Sequence, residues 1–108
     1  EVDMSDKEQH NQSNTVIGSA KFLFDTWSNA GMESVAAVVL ASGKKRSLII
    51  DEMLADGFIG RPVSIFASSS ENCRRVFRGS SSMLIEWKNI EAISLEAMPS
   101  DEDRLPLR

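Results

Sequence analysis

The sequence predicts an α+β domain, an N-terminal amphipathic helix packed on a mostly antiparallel sheet. Three observations lead there. Residues 15–29 place Val16, Ala20, Leu23, Phe24 and Trp27 on one stripe of a 3.6-residue helix. Downstream, short apolar runs rich in valine and isoleucine alternate with glycine and serine breaks. The chain has 108 residues, 42% hydrophobic and 26% charged, which suits one core and is too short for two.

Residues 1–14, EVDMSDKEQHNQSN, carry Val2 and Met4 as their apolar side chains and are expected to form a flexible polar tail. Ser13 or Asn14 offers a short side-chain oxygen to the first free N–H groups of helix 15–29. Gly31, behind Asn29 and Ala30, supplies the stop because glycine takes the left-handed conformation without strain. A helix this short is marginal in water, so its aromatic stripe must pack on something. Residues 34–42, SVAAVVLAS, favour a strand covered on both faces, with an alanine-rich helix as competitor. Gly43-Lys44-Lys45 reads as a turn.

Residues 47–56, SLIIDEMLAD, read first as a helix: Ser47 caps it, Ile49, Ile50, Met53 and Leu54 form the stripe, and Gly57 ends it. The competing reading makes KRSLIIDEM a strand in a hairpin with 35–42. That would shift the architecture toward a helix followed by a small five-stranded β-barrel. Arg61-Pro62 forces an extended entry into a strand at 63–68. ENCRRVFRG, 71–79, is either a helical turn or two, or a strand with Cys73, Val76 and Phe77 partly inward. Met83, Ile85 and Trp87 share one strand parity and Ile93 and Leu95 form a second run, with Lys88-Asn89 as the bend between them. Pro99 stops the ladder, so 15–98 is the domain and 99–108 a polar tail on which Leu105 and Leu107 dock weakly. No internal repeat is present. The helix-then-sheet order with its Lys-Asn bend resembles, in architecture alone, small barrels of the Sm-like or pleckstrin-like kind, a likeness that implies no function.

Charge is unevenly distributed. The net value is −4, from 12 basic and 16 acidic side chains. Residues 44–80 nevertheless hold Lys44, Lys45, Arg46, Arg61, Arg74, Arg75 and Arg78 against Asp51, Glu52, Asp56 and Glu71, a local excess of +3. Overall acidity argues against nonspecific polyanion binding by the whole molecule, while a basic face from 44–46 and 74–78 stays open.

Catalytic equipment is scarce. The chain has one histidine, His10, in the predicted tail, and one cysteine, Cys73. A serine nucleophile needs a base nearby, and no serine sits in a G-x-S-x-G turn. Cys73, flanked by arginines, has no histidine partner and suits inert packing better than a redox role. LASGKKRSL lacks the two glycines of a phosphate-binding loop. Asp51-Glu52 and the trio Asp101, Glu102 and Asp103 suit solvation, and neither metal nor other cofactor is expected. No apolar run approaches the ~20 residues that cross a bilayer as a helix, and no secretion signal is evident; the cytoplasm is the expected location.

What remains is contact. Phe22, Trp27 and Phe58 are large apolar groups that a small domain hides with difficulty, and they are the candidate protein-contact residues. The expectation is a small non-enzymatic binding or regulatory module acting through protein contacts, self-associating as a homodimer through exposed sheet edges. The competing expectation is RNA binding by Lys44, Lys45, Arg46, Arg74, Arg75 and Arg78, with Phe77 as the stacking face.

Overall fold

The structure, a computed structural model, describes residues 14–107. The expected tail at 1–13 lies outside the described residues; Asn14 is already helical. The elements run α1 (Asn14–Asn29), β1 (Met32–Leu40), β2 (Lys45–Met53), β3 (Gly57–Ser68), β4 (Cys73–Arg78), β5 (Met83–Glu86), a 3-10 turn (Trp87–Asn89), β6 (Ile90–Pro99) and β7 (Arg104–Pro106). One helix on a mostly antiparallel seven-stranded sheet is the α+β class that the sequence predicts.

The helix stop and the Gly43 turn lie where expected. Gly31 has φ 76° and its N–H donates to the Ser28 carbonyl; Gly43 has φ 90° and donates to Leu40. The segment 47–56 is not a helix. Lys45–Met53 is a strand antiparallel to β1, with Ala36 opposite Leu48 and Ser34 opposite Ile50. Its spacing of 49, 50, 53 and 54 mimics a helical stripe, but Leu48, Ile49 and Ile50 are all buried in succession. A strand covered on both faces buries consecutive residues this way, and Lys45–Met53 pairs with β1 on one side and β3 on the other. Gly57 therefore does not close a helix: it opens β3, where a Cβ would run into the Ile85 carbonyl oxygen.

Strand order is β6-β1-β2-β3-β4-β7, with β5 also on β3. β2 occupies one edge of β3, while β5 pairs with Gly57–Gly60 and β4 with Val63–Ser68 along the other. β4 and β5 are thus one strand interrupted at 79–82, where the Gly79 N–H donates to the Pro62 carbonyl at 2.8 Å. Pro62 marks the end of the β2 ladder, pairing with Leu48. β3 starts well before the 63–68 that the proline suggested, because the residue has no N–H to give and sits where β2 parts from β3. Beyond it, β3, β4 and β7 continue as a separate arm.

The sheet is open, so the five-stranded barrel alternative does not hold; β6 and β7 are its two ends. It is strongly curled all the same. Residues 100–103 alone connect β6 to β7, a reach of roughly 19 Å at most, whereas six flat strands would separate those ends by roughly 24 Å. The curl makes two cores. Ala20, Ala36, Val38, Leu48, Ile50, Phe58, Ile85, Trp87 and Ile90 form the first, with Ile17 and Phe24 of α1 packed on it. Phe58 meets Trp87 edge-on at 5.7 Å. Ile49, Val63, Val76, Met98 and Leu105 form the second, on the opposite face.

Two boundaries change accordingly. The stretch 99–108 is more than a polar tail: Arg104–Pro106 pairs with β4, and Leu105 is buried in the second core. On α1, Ala20 is buried as predicted, whereas Val16 is exposed and Ile17 takes the inward position.

Candidate protein contact surface

The arm built by β3 and β4 positions the most exposed aromatic pair on a strand. The hairpin turns at 69–72, with Asn72 in the left-handed region at φ 56°. Register sets Phe66 opposite Arg75 and Ser64 opposite Phe77. Strand alternation turns these four to one face and sends Val63, Ile65 and Val76 to the second core. Phe66 and Phe77 are 53% and 49% exposed, and their rings stack at 5.2 Å with 12° between planes. The Arg75 guanidinium lies 5.6 Å from the Phe77 ring centre, a cation–π distance. Arg75 Nη1 also donates to Glu71 at 3.0 Å, so aromatic pair and cation are held together. That hydrogen bond holds the Glu71 carboxyl below its ordinary range, assisted by the Arg75 and Arg104 charges.

The other predicted residues are dispersed. Phe22 is 67% exposed on α1, and Trp27 is half-buried. Phe58 is corrected: it is fully buried against Trp87 and offers nothing to a partner. Phe77 and Val76 cannot both point inward on a strand, and Phe77 is the one outside. Lys44, Lys45 and Arg46 are exposed at the β1–β2 turn and form no ion pair with a described carboxylate. Lys45 and Arg46 edge a shallow depression of about 380 Å³ floored by Ala37, Ser47, Ala92 and Ser94.

The three arginines of 74–78 are already engaged. Arg74 Nε donates to the Pro106 carbonyl at 3.0 Å, and Arg75 bonds Glu71. Arg78 is paired with Glu33 at 2.8 Å and Asp103 at 3.2 Å. Asp51, on a strand rather than a helix, turns away from Glu52 and takes Arg61 Nε at 2.8 Å. Hydrogen bonding to Asp51 holds the Arg61 guanidinium above its ordinary value. Cys73 Sγ donates to Glu71 Oε1 at 3.7 Å. Among the described residues no cluster of three His, Cys, Asp or Glu could hold a metal, and no helix is long and apolar enough to cross a membrane.

Phe66 is the surface residue that sequence reasoning missed. The signal was present: Val63 and Ile65 point inward, so Phe66 must point out, and a hairpin about 69–72 sets it beside Phe77. Comparison with protein-family models, with curated proteins and with solved structures gives no match for this chain.

Proposed function

We propose that the chain is a small non-enzymatic binding or regulatory module acting through contacts with other protein chains, and that the Phe66–Phe77–Arg75 face is where a partner docks. One observation carries this reading: Phe66 and Phe77 stand half-exposed and stacked on one another on an ordered sheet, with Arg75 beside them, whereas Phe22 and Leu84, the other strongly exposed large apolar side chains among the described residues, have no stacked ring partner. Aromatic and arginine side chains are enriched at interfaces because a rigid ring buries much area at small entropic cost. The face belongs to hydrogen-bonded strands, so presenting it needs no loop ordering. Self-association belongs to the same reading.

The test compares wild type with a Phe66→Ser/Phe77→Ser double variant as immobilised bait, after circular dichroism has established equal folding. A partner chain retained by wild type and depleted at least about tenfold on the variant supports the reading. Identical retention profiles overturn it.

The competing reading, single-stranded RNA, draws its support from Lys44, Lys45 and Arg46, which are exposed and pair with no described carboxylate. Its measurement is RNA retention that falls steeply with salt and is lost when all three become glutamate. Retention indifferent to both changes removes it.

A further inference from the structure

Beyond Pro62, β3 is an edge. In the arm β3 pairs with β4 and β4 with β7, while the β2 ladder on β3 stops at Leu48 opposite Pro62. Among the described residues no strand pairs with the other side of 64–68.

Hydrogen-bond parity tells which groups stand open there. The Gly79 N–H donates to the Pro62 carbonyl, and the Val76 N–H, opposite Ile65, turns away from β3 to the Asp103 carbonyl. Bonded and open pairs alternate along an antiparallel ladder. Ser64, Phe66 and Ser68 therefore bond to β4, while Ile65 and Ala67 direct N–H and C=O outward. The β3–β4 register runs over 63–68 without a shift, and VSIFAS contains neither a charge nor a proline. Bulges, charges and prolines are the devices that keep other chains off an edge, and this one lacks all three.

The strand across from it is different. Continued past Leu48 and Pro62, the β2–β3 register would set Arg46 at Ser64 and Lys45 at Ile65. The two strands have parted by then, so these cations line the far limb of a fork. Lys44, Lys45 and Arg46 are exposed and pair with no described carboxylate. Arg46 Nη1 donates to the Lys45 carbonyl at 3.3 Å, which caps that limb's own outward group.

We propose that a partner chain docks by adding an extended acidic segment to the 64–68 edge of β3. This rests on the reading that the Phe66–Phe77–Arg75 face receives a protein, and it adds the manner of docking and the charge of what docks. Backbone hydrogen bonds to Ile65 and Ala67 hold the segment. Strand alternation sets its apolar side chains on the Phe66 side, where they cover the ring that Phe77 leaves open. Its carboxylates fall on the Ile65 side, where the same register sets Lys45, and the opposite charges match across the fork. The 64–68 strand of a second copy has no carboxylate to offer those cations, so the occupant is a different chain.

The probe is a short synthetic peptide alternating glutamate with valine and phenylalanine, titrated into the full chain beside the same peptide with lysine for glutamate. The glutamate peptide should bind and slow amide hydrogen exchange at Ile65 and Ala67. At low salt it should bind about tenfold or more tighter than the lysine peptide, a difference that narrows as salt screens it. Ala67→Pro removes an outward N–H and no ladder bond, so it should fold by circular dichroism and weaken binding by about tenfold or more. Ala67→Glu keeps the N–H and sets a like charge on the edge; it serves as the second variant, with a loss of similar size at low salt. No binding up to about 1 mM, equal binding of the lysine peptide, or unchanged affinity in the folded Ala67 variants overturns the proposal. A partner lost from Phe66→Ser/Phe77→Ser bait yet kept by Ala67→Pro bait leaves the face standing and removes the added strand, so the two readings fail separately.

Discussion

Arg78 donates to the Glu33 carboxylate at 2.8 Å, joining β4 to β1 across the two strands that separate them. In a flat sheet those strands lie about 14 Å apart, so the pair exists because the sheet curls. Both side chains are largely covered, 15% and 17% exposed, at the rim of the second core. Arg61 reaches the same carboxylate at 3.9 Å and Asp103 takes Arg78 from the other side.

Removing one partner from this pair strands a half-buried charge. Arg78→Met is expected to lower unfolding free energy by about 2 kcal/mol and Glu33→Gln by about 1 kcal/mol or more. A double-mutant cycle in urea should return a coupling of at least about 1 kcal/mol. The Asp51–Arg61 pair, about twice as exposed, should couple by less than about 1 kcal/mol.

The phenylalanines separate core from surface. Phe58→Ala, which removes a fully buried ring from contact with Trp87, should cost about 3–5 kcal/mol and shift the urea midpoint accordingly. Phe66→Ser should change stability by about 1 kcal/mol or less, since its ring is already half in water.

Two glycines should respond with opposite sign. Gly57→Ala drives a methyl group into the backbone of Ile85 and Glu86, and is expected to destabilise by about 2 kcal/mol or more in thermal melts. Gly18, helical with open space around it, should gain roughly 0.5–1 kcal/mol as alanine.

Acid should weaken the contact arm through Glu71. Its folded-state pKa lies below the ordinary one, so the unfolded chain binds the proton more readily. The contribution is complete above the ordinary glutamate range and is lost as pH falls through the folded value. Stability measured between neutral pH and acid should therefore decline less in Glu71→Gln than in wild type. An unchanged profile contradicts the role of Arg75 as the group that holds this carboxylate.

Leu105→Ala tests whether residues beyond Pro99 belong to the domain. Burial in the second core implies a loss of about 2–4 kcal/mol, whereas a loosely docked tail would show almost none.

Much of the fold is legible in the chain because its cues are local. The α1 stripe, the Gly31 and Gly43 stops and the parity of Met83, Ile85 and Trp87 need only nearest neighbours. Residues 47–56 mislead because an IIxxML spacing fits a helix face, while burial on both sides of β2 arises only from partners distant in sequence. Leu105 is read as docking only weakly for the same reason: a three-residue segment forms a strand only once β4 is there to pair with it. The surface is harder to read. Arg74, Arg75 and Arg78 look like a free cationic cluster until Glu71, four residues before Arg75, and Pro106, Glu33 and Asp103, distant in sequence, are seen to engage them, and Phe58 looks spare until Trp87 covers it.

The four-residue bridge from β6 to β7 has a consequence for biosynthesis. A nascent chain that has emerged only as far as Pro99 holds α1 and every strand of the first core, and lacks the piece that closes the second. Val63, Val76 and Met98 then wait in water until Arg104–Pro106 clears the ribosome, at a stage when exposed strands invite aggregation.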